Sequence, residues 1–196
     1  MGQVLEEPKV AHPIVLPELD WVPTEAAGTR HGQDVVRVVV HRWGVKFTNE
    51  DAEARSYHGV ISHFLNPDNQ ASAHVVFPGS AVLGHATQMV AWDDKAWAQK
   101  DFNSTSDDIE SADAIWLGHD PFGFQVLARI VAMRLHVRGL PAIWSTERGF
   151  CRHADLGAAG GGHTECPTTD ITLWHQFAAA VQHETIRAGF RPVWGR

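Results

Sequence analysis

The sequence contains few cysteines, no long apolar run and no cluster of basic residues. Its two cysteines, Cys151 and Cys166, are too few for a framework of disulfide bonds. No stretch approaches the roughly 20 apolar residues of a membrane-spanning helix. The formal net charge is −7, with 16 basic and 23 acidic residues, and no run of Lys or Arg could follow a phosphate backbone. We therefore expect neither membrane insertion nor a nucleic-acid partner.

The beginning of the chain also lacks the pattern of a secretory signal peptide. Residues 1–21, MGQVLEEPKVAHPIVLPELDW, carry acidic residues and prolines where such a peptide has a basic start and an apolar centre. We expect synthesis in a host cytoplasm without a signal peptide. Residues 1–33 are rich in proline, glycine and charge, and they predict an N-terminal arm that packs irregularly. Residues 34–196 are predicted to form one domain.

The remaining sequence is typical of a folded α/β domain. Its 196 residues, apolar content of 44% and eight tryptophans provide for a hydrophobic core. Residues 34–44, DVVRVVVHRWG, are β-branched and almost continuously apolar, as in a buried strand. Other segments predict strands at 72–80, 81–92 and 108–116, a polar loop at 93–108, and helices at 51–66, 120–140 and 168–189, the last with Thr169 or Asp170 as N-cap and Gly189 as its stop. The simplest architecture is a single mixed β-sheet flanked by helices.

One short segment gathers side chains that bind metals. The sequence RHADLGAAGGGHTECP, residues 152–167, contains His153, His163, Glu165 and Cys166 around a run of small residues. It is either a surface loop that happens to carry these residues or a loop folded so that two or more of them face one ion. The closely spaced glycines favour tight turns, which a folded loop needs.

A strand-end histidine would complete such a site. A catalytic zinc usually takes three protein ligands and keeps one position for water, and His41 ends the buried strand. The thirteen histidines of the chain make a metal site more plausible. The alternative for His41 is a hydrogen-bonded core histidine, and the alternative for Cys166 is a small buried apolar residue.

The order of several short motifs is more specific than any one of them. The chain resembles the zinc-dependent N-acetylmuramoyl-L-alanine amidases of the amidase-2 family, which are related to phage T7 lysozyme and to peptidoglycan recognition proteins. The resemblance runs over most of residues 34–187. The motifs that carry it are VVVH (38–41), ASAHVVF (71–77), DDKAW (93–97), NSTSDDIES (103–111) and the segment 152–167 with its final Cys-Pro.

The resemblance implies a metal site and a mixed-sheet amidase fold. Carried over by position, the zinc ligands are His41, His153 and Cys166. Family members have Asp or Cys before the proline at the third ligand, so Cys166 is preferred and Glu165 is the alternative. A disulfide between Cys151 and Cys166 is a further alternative, and it would remove the thiolate.

The resemblance also implies roles for two catalytic side chains. Glu110 corresponds to the family glutamate that acts as base or orients the water, and its alternative is an ordinary exposed strand residue. His163 is the candidate donor to the oxyanion and leaving amine, although the family position two residues before the last ligand is Thr164 here. Trp43 and Trp97 lie beside the motifs and are candidates for substrate contact.

The implied function is hydrolysis of the amide bond between N-acetylmuramic acid and L-alanine in bacterial peptidoglycan. We expect a monomeric phage endolysin that reaches the wall after holin-type release, or else a cytoplasmic amidase that recycles wall fragments. Ala73 and Ala98 replace a Tyr and a His of some relatives, which leaves a non-catalytic peptidoglycan-binding module as an alternative. A third hypothesis is a cysteine hydrolase with Cys166 as nucleophile and His153 as its partner.

Overall fold

A mixed β-sheet organises the part of the chain that the computed structural model describes, residues 16–44 and 47–187. The strands within these residues are β1 Glu18–Trp21, β2 Ala27–Thr29, β3 Arg37–Arg42, β4 Val75–Phe77, β5 His85–Gln88, β6 Asp94–Ala96, β7 Ser106–Ser111 and β8 Gly149–Arg152. Six of them form the central sheet in the order β1-β5-β4-β7-β3-β8, and β2 pairs with β6. Strand β5 runs antiparallel to β4, whereas β4, β7, β3 and β8 are mutually parallel. The predicted α/β fold with one main mixed sheet is confirmed.

Strand β3 lies between β7 and the edge strand β8, and it positions residues of the site. Its three valines are fully buried, as the continuous apolar pattern predicts. The register with β7 places Val39 opposite Asp108 and His41 opposite Glu110. Paired residues of parallel strands, and residues two apart along one strand, project to the same face. His41, Asp108 and Glu110 therefore share one face of the sheet.

The predicted helices are confirmed with small changes in their bounds. The helices within the described residues are α1 Glu50–Leu65, α2 Asp113–Trp116, α3 Pro121–Val137 and α4 Ile171–Arg187. Side chains cap three of them by accepting backbone N–H groups: Asn49 for α1, Asp120 for α3 and Asp170 for α4. The structure thus selects Asp170 over Thr169 as cap, and the predicted stop at Gly189 lies outside the described residues.

An aromatic cluster joins the sheet to α3 and α4. The ring of Trp174 lies 5.3 Å from that of Phe177, 5.8 Å from Trp116 and 5.9 Å from Phe150, measured between centroids. Each of these four side chains is at most 3% exposed, and such burial is the main source of folding free energy. None of the helices within residues 16–44 and 47–187 is both long and apolar enough to cross a bilayer.

The predicted strand at 108–116 is correct only in its first part. Strand β7 ends at Ser111, and the helix α2 follows at Asp113–Trp116. The backbone N–H of Asp113 donates to Glu53 Oε1 at 3.0 Å. This bond satisfies one of the amide groups that a helix start leaves without an internal partner, so a side chain distant in sequence favours the helical turn here.

The prediction of a polar loop at 93–108 is wrong. These residues contain β6, a 3₁₀ segment at Lys100–Thr105 and the beginning of β7. Ser106, Asp107 and Asp108 are completely buried in spite of their polarity. Polar residues are mostly exposed unless they find partners, and here the partners come from distant segments that the local pattern does not reveal.

The described part of the N-terminal arm is more regular than the composition predicts. Strand β1 adds to the edge of the main sheet by pairing with β5, and β2 pairs with β6. These strands are three or four residues long and largely exposed, so they lack the alternation that would reveal them. Arg30, just beyond β2, is only 7% exposed and donates to Asp107 at 2.8 Å.

Candidate active site

A cleft opens at the carboxyl ends of β3 and β7. Its volume is about 630 Å³, which lies in the usual range for sites that bind small ligands. Its lining includes all five residues for which the motifs predict a role in binding metal or in catalysis: His41, Glu110, His153, His163 and Cys166. The cleft is thus the place where the separate sequence motifs meet.

The structure brings the three predicted metal ligands together. His41 is the penultimate residue of β3, and His153 directly follows the adjacent parallel strand β8, so both rings lie at the carboxyl ends of these strands. Cys166 comes from the loop that folds back over them, and its backbone carbonyl accepts from Ala154 N at 2.8 Å. One possible ligand atom from each residue lies within 4.8 Å of the others. The two Nδ1 atoms are 3.0 Å apart.

The glycine-rich loop is shaped by turns that need glycine. Gly157, Gly161 and Gly162 have φ values of 60°, 112° and 78°, a region that side-chain-bearing residues rarely adopt. The start of the loop is held by Asp155, whose carboxylate accepts from the Arg152 guanidinium at 2.6 Å. Glycine at these three positions therefore suits the chain path that returns Cys166 to the histidines.

Hydrogen bonds of the two Nε2 atoms fix the orientation of the imidazole rings. His41 Nε2 faces Gln99 Oε1 at 3.1 Å and Asp108 Oδ1 at 3.3 Å, and His153 Nε2 faces the Gly160 carbonyl at 2.8 Å. Because all these partners are acceptors, each Nε2 carries the proton and each Nδ1 is turned toward the other ring. Only a proton or a cation can lie favourably between two such nitrogen lone pairs.

The pKa values of the two histidines reflect this arrangement. Burial, assisted by the positive charge of His41, lowers the pKa of His153 to about 4. Burial also acts to lower the pKa of His41, but hydrogen bonds to Asp108 and Cys166 outweigh it and raise that pKa well above its usual value. An additional proton, beyond the one on each Nε2, therefore favours His41 over His153. Metal binding at the Nδ1 atoms would compete with such a proton.

Glu110 lies beside the histidines with a carboxyl group that titrates near neutrality. It is half-buried, pairs with His41 across the strands and lines the cleft. Burial raises its pKa to about 7, against the opposing charge of His41, and the carboxylates of Asp108 and Asp113 raise it further. A carboxyl group with such a pKa can accept and release a proton at neutral pH.

His163 and Glu165 lie on the exposed rim of the same cleft. The ring centroid of His163 is 4.5 Å from that of His153, with 32° between the planes. Within the described residues the potential metal-binding group includes the sulfur of Cys166 and not the carboxylate of Glu165. Both cysteines are free, and burial raises the pKa of the Cys151 thiol, so the alternative of a disulfide is wrong for this structure.

Aromatic side chains form much of the remaining wall. Trp43 and Trp97, which the motifs mark as candidates for substrate contact, both line the cleft together with Phe64. Ala98 also lines it, at the position where some relatives carry a histidine. The cleft is therefore wider at this point than it would be with an imidazole in that position.

Sequence reasoning missed two buried residues behind the site. Gln99 and Asp108 are fully buried and contact His41. Gln99 belongs to the predicted polar loop, and Asp108 lies where that loop meets the predicted strand at 108–116. A signal for Asp108 was present, because it precedes Glu110 by two residues and so shares its strand face. His74, the histidine of the motif ASAHVVF, is also fully buried, and its Nδ1 accepts from Asp108 N at 2.9 Å.

Comparison with solved structures finds the same fold at low sequence identity. The Staphylococcus aureus hydrolase AmiA in complex with its ligand matches with a TM-score of 0.65 and 13% identity, over 89% of this chain and 85% of that one. A mutant endolysin from Bacillus subtilis matches with a TM-score of 0.58 and 16% identity, over 85% of this chain and 99% of that one. The N-acetylmuramoyl-L-alanine amidase LysC from Clostridium intestinale matches with a TM-score of 0.54 and 13% identity, over 83% of this chain and 96% of that one. No protein-family model matches the chain, and no curated protein shows a significant match. The fold implied by the amidase resemblance is thereby confirmed.

Proposed function

We propose that this protein hydrolyses the amide bond between N-acetylmuramic acid and L-alanine in bacterial peptidoglycan, with a bound zinc ion. The observation that carries the proposal is the convergence of His41, His153 and Cys166 beside Glu110 at one cleft. The order of the amidase motifs in the sequence supports it. The fold shared with an N-acetylmuramoyl-L-alanine amidase supports it independently.

Zinc fits the chemistry of this donor set. Zinc accepts imidazole nitrogen and thiolate sulfur together, and catalytic sites typically use three protein ligands. Both Nδ1 atoms are directed toward the shared space because each Nε2 is bound from behind. The sulfur of Cys166 accepts from the backbone N–H of Arg42 at 3.4 Å, which holds it beside the end of β3.

The proposed reaction divides between the metal and two side chains. Bound zinc would supply Lewis acidity, which polarises an amide carbonyl and lowers the pKa of water towards about 7. Glu110 takes the proton of the attacking water, since its carboxylate opens into the cleft on the same sheet face as His41. His163 donates from the rim to the developing oxyanion and to the departing amine.

The substrate would lie along the aromatic wall of the cleft. Trp43 and Trp97 offer flat apolar faces of the kind that suit sugar rings, and the position of Ala98 leaves room beside them. We further propose a monomeric endolysin that acts on the wall after holin-type release. A preference for intact wall over soluble wall fragments would support this role, and the reverse preference would favour an amidase that recycles fragments.

The decisive experiment is digestion of purified cell walls with and without a zinc chelator, followed by mass analysis of the soluble products. We expect stem peptides that begin with L-alanine, lost with the chelator and restored by zinc. Glu110→Gln is the matched control, because it should retain zinc and release almost no peptide.

Other outcomes would contradict the proposal in distinct ways. Co-sedimentation with walls but no peptide release would identify a non-catalytic recognition module. Release that survives the chelator and is lost on thiol alkylation would identify Cys166 as a nucleophile. Products that retain muramic acid on the peptide would show that a different bond is cut.

A further inference from the structure

His41 is the only one of the two candidate histidine ligands whose ring is backed by a charged side chain. Its Nε2 lies 3.3 Å from Asp108 Oδ1 and 3.1 Å from Gln99 Oε1. His41 is 3% exposed, and both partners are completely buried. The corresponding nitrogen of His153 instead faces a neutral acceptor, the Gly160 carbonyl on the loop, at 2.8 Å.

The position of Asp108 is fixed by the sheet and does not depend on the loops. It pairs with Val39 in the β3–β7 register, two residues before Glu110. Its backbone is also bound to His74 in both directions: Asp108 N donates to the ring Nδ1 at 2.9 Å, and His74 N donates to Asp108 O at 3.0 Å. The carboxylate is therefore held at a constant distance from the His41 ring.

Asp108 and Gln99 each retain a buried polar atom that the fold does not use. Within the described residues, neither Asp108 Oδ2 nor Gln99 Nε2 has a hydrogen-bond donor or acceptor as partner. His74 Nδ1 lies 3.4 Å from Asp108 Oδ2, but this nitrogen accepts from Asp108 N and has no proton to donate to the carboxylate. Leaving such atoms unpaired in the interior costs free energy. A fold selected for stability alone would favour apolar residues here, so the contact with His41 is the property that accounts for their presence.

We propose that Asp108, assisted by Gln99, is a positioning residue for His41. It holds the ring so that Nδ1 faces the metal, keeps the proton on Nε2 and raises the basicity of the coordinating nitrogen. The inference rests on the proposed function, because it assumes that His41 binds zinc. It goes beyond that function by assigning a role to a residue outside the ligand set and outside the acid–base pair.

The test measures zinc affinity rather than catalysis. The full chain and its variants are titrated with zinc against a chromophoric chelator. We expect Asp108→Ala to weaken zinc binding by about 10- to 100-fold, the usual effect of losing such a partner of a metal-bound histidine. Asp108→Asn keeps an acceptor oxygen without the charge and should lose less, and Gln99→Ala should also lose less. Visible spectra of the cobalt-substituted proteins should shift in Asp108→Ala and recover partly in Asp108→Asn.

Asp107→Asn is the matched control, since Asp107 is equally buried on the same strand but contacts arginines instead of His41. It should lower thermal stability and leave the zinc affinity of the folded protein unchanged. Equal zinc affinity in Asp108→Ala and the unaltered chain would overturn the inference, as would an equal loss in the control. If Asp108→Ala does not fold, Asp108→Asn and Gln99→Ala decide in the same way. A chain that binds zinc as expected but cuts no wall would refute the proposed function and leave this inference standing.

Discussion

Asp107 and Asp108 are neighbours on one strand, are equally buried and serve opposite sides of the sheet. Successive residues of a strand project to opposite faces, so Asp107 meets the arginines of α3 while Asp108 meets His41. Both oxygens of Asp107 accept hydrogen bonds from guanidinium groups, whereas only one oxygen of Asp108 has a donor within the described residues. The fold therefore supplies hydrogen-bond donors to both oxygens of the aspartate on one face of the sheet, and to one oxygen of the aspartate on the other face.

The Asp107 network links three distant segments of the chain. Its carboxylate accepts from Arg30 at 2.8 Å, from Arg134 at 2.7 Å and from Arg138 at 3.0 Å, and the Arg134 guanidinium also lies 3.7 Å from the centre of the Trp92 ring. Burial opposes ionisation of Asp107, but Arg134 foremost, followed by His74 and Arg138, outweighs it and lowers the pKa of this carboxyl group. The network joins the N-terminal segment, β7 and α3, and its role is to hold the fold.

The Asp108 side is built from histidines, a thiol and an amide. An imidazole or a thiol can exchange a proton for a metal ion, whereas guanidinium groups stay charged. Burial of a carboxylate therefore does not by itself indicate function. Asp107 and Asp108 differ in whether the fold supplies all the hydrogen-bond partners of the surrounding groups or leaves some of them to a ligand.

The largest expected effect comes from removing a candidate ligand. His153→Ala should abolish zinc retention and amide hydrolysis, because two protein ligands remain of three. It should change the free energy of unfolding of the metal-free protein by only about 1 kcal/mol, because the Asp107 network is untouched. Metal analysis of the purified variant and urea unfolding in chelator measure the two effects.

His58→Ala, which removes an exposed histidine of α1, is the control for this variant and should alter neither quantity. A His153→Ala protein that keeps full zinc would refute the ligand set. A His153→Ala protein that is unfolded in the absence of metal would show that the stability of the fold also depends on the Asp108 face of the sheet.

The next effect concerns proton transfer. Glu110→Gln should lower kcat by about 10²- to 10⁴-fold, the usual contribution of a general base, with zinc content unchanged. In the unaltered enzyme the rate should fall as the pH drops through the pKa of Glu110. That fall should lie at or below the metal-free pKa of about 7, since a bound cation lowers the pKa of a nearby carboxyl group. The variant should lose this acidic limb, and a limb that persists would assign the base to another residue.

The sequence predicts the candidate ligands of the site better than it predicts the residues that surround them. His41, His153 and Cys166 belong to short motifs, and the order of these motifs along the chain identifies them. Asp108 and Gln99 escape prediction because polarity indicates exposure unless the partners are known, and here the partner lies about 60 residues away in the chain. Strand β1 escapes for a different reason, since short exposed edge strands carry no periodic signal.

On the other face, loss of one arginine should affect stability alone. Arg134→Met keeps the bulk of the side chain but removes two hydrogen bonds to Asp107 Oδ2. Breaking a buried ion pair from one side typically costs about 3–5 kcal/mol, so urea unfolding should shift strongly. Zinc affinity at a temperature where the variant is folded should be unchanged. A matching loss of zinc affinity would show that the Asp107 network also positions the site, and the proposed separation would fail.

The smallest expected effect concerns a third buried carboxyl group, Glu53 of α1. Within residues 16–44 and 47–187 it forms no ion pair with an arginine and belongs to no potential metal-binding group. It is 2% exposed and accepts from the backbone of Asp113. Burial raises its pKa from 4.5 to about 7, against this hydrogen bond, and the charge of Asp113 raises it further. Because the folded state binds the proton more tightly than the unfolded state, stability present below about pH 4.5 is lost as the pH rises through about 7.

Glu53→Gln removes this ionisation and keeps an acceptor for Asp113. It should be more stable than the unaltered chain at about pH 8, by on the order of 1–3 kcal/mol, and nearly equal to it at about pH 4. Urea unfolding at the two pH values, in the presence of chelator, measures the difference, and Glu50→Gln on the exposed first turn of α1 provides the control. A difference independent of pH would mean that Glu53 is ionised without penalty. A nearby cation would then have to stabilise the ionised carboxylate of Glu53, as the arginines stabilise that of Asp107.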